Sequence, residues 1–411
     1  MKQLIKQIFD EVKARGDQAL IDYTAQFDKI PNHKIKLEAQ DLRKRIEGFD
    51  FRELKKVIRN TKFRIESFHK NTQLNEFRYV TAEGVLIHQM VFPLEKIGLY
   101  IPGGKFPLIS TLMMLLIPAR IAGVKQICIC TPPSKDGNID PKLAFVLNEL
   151  GVEQVFLIGG AQAVAAMAVG TESVPRVSKI FGPGNQYVNE AKKFCQTLDN
   201  PVAIDLMAGP SEVAIYLDRS DFISNAFVEA QAQIEHGPDS SAYLLIENNL
   251  FLESKLEIQS LIDKAGLQLF ISKVDGISDL ESQLKEIGPE HFVSYTEKNI
   301  LSCLNFVGAH YDGRTLSAAM GDYGIGPNHT LPTNKASSFS SGLSVRDFQR
   351  TVASSTRIKE EKTSSLFDQC LEDMILLAEW EGLVSHKEAL KSYRKNISFN
   401  EKPMEVLNEQ K

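Results

Sequence analysis

Lys96-Ile97-Gly98-Leu99-Tyr100-Ile101-Pro102-Gly103-Gly104 (96–104) is the stretch whose reading decides the fold. The short apolar run Ile97–Ile101, closed by a Pro-Gly-Gly turn, reads as a buried strand. A helix follows over Ser110–Ala122, and the alternation then repeats. Gln126–Thr131, Gln154–Ile158 and Val177–Phe181 read as strands; Pro141–Leu150, Ala161–Val169 and Asn185–Cys195 read as helices. Strands separated by single helices need crossover connections and therefore pair in parallel, which predicts a doubly wound domain.

Downstream, a second series begins with the strand Val213–Leu217, the helix 221–236, the strand Ala242–Ile246 and a helix from Leu250 to Ala265. Upstream, residues 1 to about 75 are charged and helical, with segments near Gln3–Phe27 and Phe51–Asn71. Glu76–Met90 alternates around Glu83-Gly84 as a hairpin. Residues 313–343 are rich in Gly, Ser, Pro and Asn and read as mainly loop, and a loop that long is more often functional than idle. A closing helix through Leu366, Cys370, Met374 and Leu377 ends at Gly382. Ser385 with Glu388 forms a capping box for a short last helix, and the tail after Asn396 is polar. The expected fold class is α/β, with two doubly wound (incomplete Rossmann-like) parallel-sheet domains plus a small helical C-terminal segment. The expected domains are residues 1–98 with 206–350, residues 99–205 facing a nucleotide, and residues 351–411.

Over 411 residues, 43% apolar and 24% charged, the chain has the balance of an ordinary globular protein. A net charge of −5 offers no basic field to nucleic acid or an anionic membrane. The longest apolar run, around Leu108–Ala122, is interrupted by Pro118 and Arg120 and is too short to span a bilayer. The N-terminal residues form an amphipathic pattern through Ile5, Ile8, Phe9 and Val12 rather than a secretory core, so a cytoplasmic location is expected. Five cysteines, none in a Cys-x-x-Cys spacing, predict neither a disulfide framework nor a thiolate metal site.

Several residues could do chemistry. In the helix 221–236 the apolar stripe is Phe222, Ile223, Phe227, Ala230 and Ile234, and Gln233 and His236 leave its edge together. Amide oxygen and imidazole nitrogen side by side suit a divalent metal, although the segment alone reads as a helix end whose His favours the dipole. Three glycine-rich turns, Pro102-Gly103-Gly104, Gly159-Gly160-Ala161-Gln162 and Gly182-Pro183-Gly184-Asn185, fall where parallel sheets bind ligands, at strand carboxyl ends. None is a dinucleotide fingerprint, and together they leave plain tight turns and a nucleotide site evenly balanced. Glu290-His291 follows Gly288-Pro289 and reads as an acid–base pair on a turn. Asp322 and His329 lie in the long loop, and Glu381 and His386 flank a helix corner. His310 reads as structural without polar company, and His33, His69 and His88 as surface or filler.

Taken together, the segments GLYIPGG (98–104), GGAQA (159–163), IFGPGN (180–185), AGPSEV (208–213), EHGPDS (235–240), GPEH (288–291), GDYGIGPNHTLPT (321–333) and EGLVSHKEA (381–389) resemble the histidinol dehydrogenase family. The resemblance spans about residue 10 to 390. It implies oxidation of L-histidinol to L-histidine through the aldehyde, the last step of histidine biosynthesis, with NAD and one zinc ion. Carried over by residue, the metal ligands are Gln233, His236, Asp322 and His386, a set that leaves coordination positions open for substrate nitrogens. His291 matches the general base and Glu290 the residue that activates water. Ser211, His329 and Glu381 match substrate contacts, which the metal ligands and His291 complete; Tyr100, Gln162 and Asn185 match NAD contacts. The resemblance also implies a homodimer whose C-terminal segment completes the partner's site. Relative to the family, the chain is expected to lack most of an N-terminal extension, and Lys105 stands where small residues are usual. A zinc hydrolase could use the same metal with Glu290 and His291, but it would have no use for three nucleotide-facing turns. A non-catalytic relative would be expected to have lost a ligand or base, and every matched position is filled.

Overall fold

The computed structural model describes residues 1–395 apart from 32, 104–106, 207, 208, 236, 238, 255–257, 259–267 and 359–363. His236, Gly104, Lys105, most of the helix expected over 250–265 and the tail after Asn396 therefore lie outside the described residues. Met1–Leu74 with Pro93–Arg350 forms one compact unit, and Asn75–Phe92 with Thr351–Lys411 forms another.

The first unit contains two sheets. The strands of the larger are β1 (Lys36–Glu38), then, beyond the hairpin β2 (Phe77–Val80) and β3 (Val85–Pro93) of the second unit, β4 (Lys96–Tyr100), β5 (Gln126–Thr131), β6 (Gln154–Leu157), β7 (Lys179–Phe181) and β8 (Ala203–Ile204). Their order is β1-β6-β5-β4-β7-β8, parallel except for β1, which pairs Leu37 with Val155 in antiparallel sense. The crossovers are α5 (Ile109–Ile121), α6 (Pro141–Glu149), α7 (Gly160–Val169) and α8 (Gln186–Cys195). The N-terminal helices are α1 (Lys2–Arg15), α2 (Asp17–Phe27), α3 (Ala39–Ile46) and α4 (Arg52–His69). Leu112, Leu116, Leu143 and Val146 pack with Leu42, Ile58 and Ile65 in one core, while Ile5, Phe9, Val12 and Leu20 pack with Val164, Met167 and Val188 in another. Helix α5 is buried from Thr111 to Ala119, which explains an apolar run without a polar face.

Two expectations change here. The helix read over Gln3–Phe27 breaks at Gly16, whose φ of 55° suits glycine and where a Cβ would strike the Glu172 carboxylate. Residues 1–98 were expected to go with 206–350, yet β1 joins β6 and α1 packs on α7 and α8 of the larger sheet. The physical reason is the stripe Ile5, Ile8, Phe9 and Val12, which buries against the alanine-rich α7.

The second sheet consists of β9 (Glu212–Leu217), β10 (Ser241–Glu247), β11 (Leu269–Val274), β12 (His291–Tyr295) and β13 (Ala309–Asp312). Its order is β11-β10-β9-β12-β13, parallel throughout. Central β9 is buried at every residue, so its sequence runs apolar without alternation. Helix α9 (Ile223–Ile234) covers one face and the helix Ile277–Ile287 the other. The turn expected at Glu290-His291 is in fact the entrance to β12, and the described part of the 250–265 helix is the short α10 (Asn248–Glu253).

In the second unit β14 (Gln349–Arg357) joins β3 and β2, and the helices Ser364–Trp380 and Val384–Lys395 follow. These helices leave Leu377, Val384, Tyr393 and a 78% exposed Trp380 uncovered within the chain. Among the described residues no helix is long and apolar enough to cross a membrane.

Candidate active site

In the larger sheet the strand order reverses between β4 and β7, and there the glycine-rich turns gather at the carboxyl ends. Tyr100 ends β4, Gln162 lies in the first turn of α7 and Asn185 caps α8. The Tyr100 hydroxyl accepts the Gly160 N–H at 3.0 Å, and burial pushes its pKa up to about 12, so it stays a neutral donor. Asn185 Oδ1 accepts the N–H groups of Tyr187 and Val188 at 3.0 and 3.1 Å, leaving its amide nitrogen for a ligand. A Cβ on Gly182, where φ is +120°, would fall 2.1 Å from the Tyr100 carbonyl oxygen, so only glycine lets this turn press against β4.

A second group of polar side chains gathers at the amino ends of the other sheet. Ser211 precedes β9, Glu290 precedes β12 and His291 opens it. Glu290 is 7% exposed and His291 2% exposed, with His291 Nε2 3.7 Å from Glu290 Oε1. A solvated Glu-His loop is thereby excluded. Burial, aided by the negative charge of Asp322, pushes the Glu290 carboxyl up to about 8. The Ser211 hydroxyl and the Glu212 N–H donate to it and hold it from rising further. With no cation beside it, the carboxyl can thus take and return protons near neutral pH.

The loop bearing Asp322 and His329 is braced at several points. His329 Nδ1 lies 3.0 Å from the Asp322 carbonyl oxygen, and Arg64 Nε donates to the Gly324 carbonyl at 2.8 Å. Pro118 has no N–H to give the Met114 carbonyl within α5, and Asn328 Nδ2 donates to that carbonyl instead at 2.6 Å. What reads in sequence as a helix breaker is a docking point for the loop.

The residues described here fit a divalent cation. Gln233 is 6% exposed and its Nε2 has no hydrogen-bond partner among the described residues; turned about its last side-chain bond, the amide would present its oxygen, a metal donor, in the place of that orphaned nitrogen. Asp322 repels Glu290 and also Glu229, one turn before Gln233 on α9, and a cation would relieve that repulsion. Gln233 and Asp322 carry side-chain oxygens that could serve as donors from this unit; His236 lies outside the described residues, and His386, like Glu381, belongs to the second unit. No three His, Cys, Asp or Glu side chains among the described residues are grouped to hold an ion, a count from which Gln233 and His236 are absent.

This second group does not follow the carboxyl-end expectation. The carboxyl end of the smaller sheet is filled by its own ion network. Tyr216 and Lys298 donate to Glu247 at 2.5 and 3.0 Å, and Thr296 donates to Asp218 at 2.6 Å. His310 also has polar company, with Nε2 2.9 Å from Ser294 Oγ. His69 and His33 are buried rather than surface residues. Sequence reading missed Glu229, whose signal is a carboxylate four residues before Gln233 on the same face, and Tyr311, whose hydroxyl lies where a Cβ on Gly321 would sit.

A family model described as histidinol dehydrogenase matches residues 1–394. The histidinol dehydrogenase of Bacteroides thetaiotaomicron is 41% identical over 363 residues, covering 85% of this chain and 83% of that protein. That of Xanthomonas euvesicatoria is 36% identical over 403 residues, covering 95% and 91%. The crystal structure of histidinol dehydrogenase from Elizabethkingia anophelis superposes with a TM-score of 0.86 at 34% identity, covering 96% of this chain and 92% of that one. A solved succinate-semialdehyde dehydrogenase from Burkholderia pseudomallei, at 9% identity and a TM-score of 0.50 over 84% of this chain and 90% of that one, shares the fold alone.

Proposed function

The chain belongs to the histidinol dehydrogenase family, and from that premise we propose that it oxidises L-histidinol to L-histidine through L-histidinaldehyde, with NAD⁺ as oxidant and a zinc ion as anchor. The observation that carries this reading is the buried Glu290–His291 pair, with Ser211 and the Asp322 charge gathered on it. Gln233, His236, Asp322 and His386 would hold the metal. When bound, zinc fixes the substrate's amine and imidazole nitrogens, and NAD⁺ accepts a hydride in each of two oxidations.

His291 takes the hydroxyl proton of histidinol while the carbinol carbon gives up hydride, leaving the aldehyde. Glu290, as carboxylate, then removes a proton from water as that water adds to the aldehyde carbon, while the protonated His291 returns its proton to the carbonyl oxygen, giving the hydrated aldehyde and a neutral imidazole. His291, neutral again, takes one hydroxyl proton while the hydrate gives up hydride, and the resulting carboxylic acid releases its remaining proton to water as the carboxylate product. Ser211 and His329 orient the substrate with Glu381, and Tyr100, Gln162 and Asn185 hold the dinucleotide. The uncovered apolar side of the last two helices supports a homodimer in which Glu381 and His386 serve the partner's site.

Incubation with L-histidinol and NAD⁺ is expected to raise the absorbance of reduced cofactor. A chelator should abolish that signal and added zinc restore it. A zinc hydrolase would instead release product from an ester or amide with no cofactor reduction, and that result would displace this reading.

A further inference from the structure

Lys192 is a fully buried lysine, 0% exposed, in the middle of α8. Its Nζ donates to the Gly182 carbonyl at 3.0 Å, to the Leu206 carbonyl at 2.9 Å and to the Asp205 carboxylate. The other Asp205 oxygen accepts the Gly182 N–H at 2.7 Å, and the Asp205 N–H donates to the Ile180 carbonyl at 3.0 Å. Both backbone groups of Gly182 are therefore held by one ion pair. The same ammonium grips Leu206, from which the chain runs five residues to Ser211, a donor to Glu290.

We propose that Lys192 and Asp205 are positioning residues that hold the nucleotide-facing turn Gly182–Asn185 in register with the segment that carries Ser211. The inference rests on the NAD reading of that turn. Burying two charges carries a desolvation cost for each ion, and an apolar pair of similar volume often packs as well or better, so α8 does not need this pair merely to pack. Methionine and leucine, however, have no N–H with which to reach two carbonyls on separate segments, and no acceptor for the Gly182 N–H. The directed hydrogen bonds are what an apolar pair cannot reproduce. Because the turn and the Ser211 segment must meet substrate and oxidant together, a shift of about 1 Å between them would cost on the order of a hundredfold in rate.

The test is the double variant Lys192→Met/Asp205→Leu, which removes both charges at once, beside Asp205→Asn, which keeps an acceptor for Gly182. The double variant is expected to melt at or above the wild-type temperature. Its KM for NAD⁺ should rise about tenfold or more and its kcat should fall, with KM for histidinol within about twofold. Asp205→Asn should fall between it and the wild type. A folded double variant with wild-type kcat and KM for NAD⁺ would overturn the proposal, and so would failure of both variants to fold, which would make the pair structural. A wild-type protein that does not reduce NAD⁺ with histidinol would instead defeat the underlying functional reading.

Discussion

Glu290→Gln is expected to slow oxidation of L-histidinaldehyde by about a thousandfold while leaving oxidation of histidinol to the aldehyde within about tenfold of wild type. The reason is a division of labour between neighbours. A positioned general base contributes roughly two to four powers of ten, and only the second half-reaction needs water to lose a proton. Glutamine keeps the shape and can still accept the Ser211 hydroxyl and Glu212 N–H, but it cannot take that proton. Aldehyde should accumulate with the variant, and equal losses in both halves would assign Glu290 a different role.

The pH dependence of the same variant has a definite sign. The Glu290 carboxyl is raised from 4.5 to about 8 in the folded chain, first by burial and then by Asp322. The folded state thus favours the protonated form. That contribution is fully present below about pH 4.5 and is lost as pH rises toward 8. In chelated protein Glu290→Gln should therefore be most stabilising, relative to wild type, near pH 8, by on the order of a few kcal/mol, and least so near pH 5. Urea titrations at the two pH values measure this. A constant difference would contradict the raised carboxyl.

Inactive His386→Ala protein mixed with inactive His291→Ala protein is expected to recover about a quarter of wild-type activity after subunit exchange. If each site takes its His291 from one chain and its His386 from the other, half of the randomly formed dimers are mixed, and each mixed dimer has one intact site. His386 belongs to the helix Val384–Lys395 of the second unit, where Val384 and Tyr393 stand exposed within a single chain. No recovery in dimers verified as mixed would mean that each chain builds its whole site alone.

The parallel strands β4 to β7 and β9 were legible because strands covered on both faces read as apolar runs closed by glycine turns. The start of β12 was not, since Gly288-Pro289-Glu290 carries turn residues up to the edge of the strand. The three-residue pairing of β1 with β6 rests on partners more than a hundred positions apart and leaves no local pattern. The placement of Glu290 at an amino end runs against the rule for such sheets. At the opposite end of the sheet Lys298 pairs with Asp218 and Glu247. Gln233 and Asp322 stand out by residue type and by resemblance, whereas no local pattern in the sequence reports that the charges of Glu229 and Lys192 are buried. Hydrophobic pattern reports which faces are covered; it does not report which polar groups go inside with them.

The most direct measurement is the number of NAD⁺ molecules reduced per molecule of L-histidinol consumed by the zinc-loaded protein. Two, with histidine as the only product, is the predicted result, since a primary alcohol passes to a carboxylate only by giving up two hydrides. A ratio of one with aldehyde released, or histidinol left unconsumed by fully zinc-loaded protein, would contradict it.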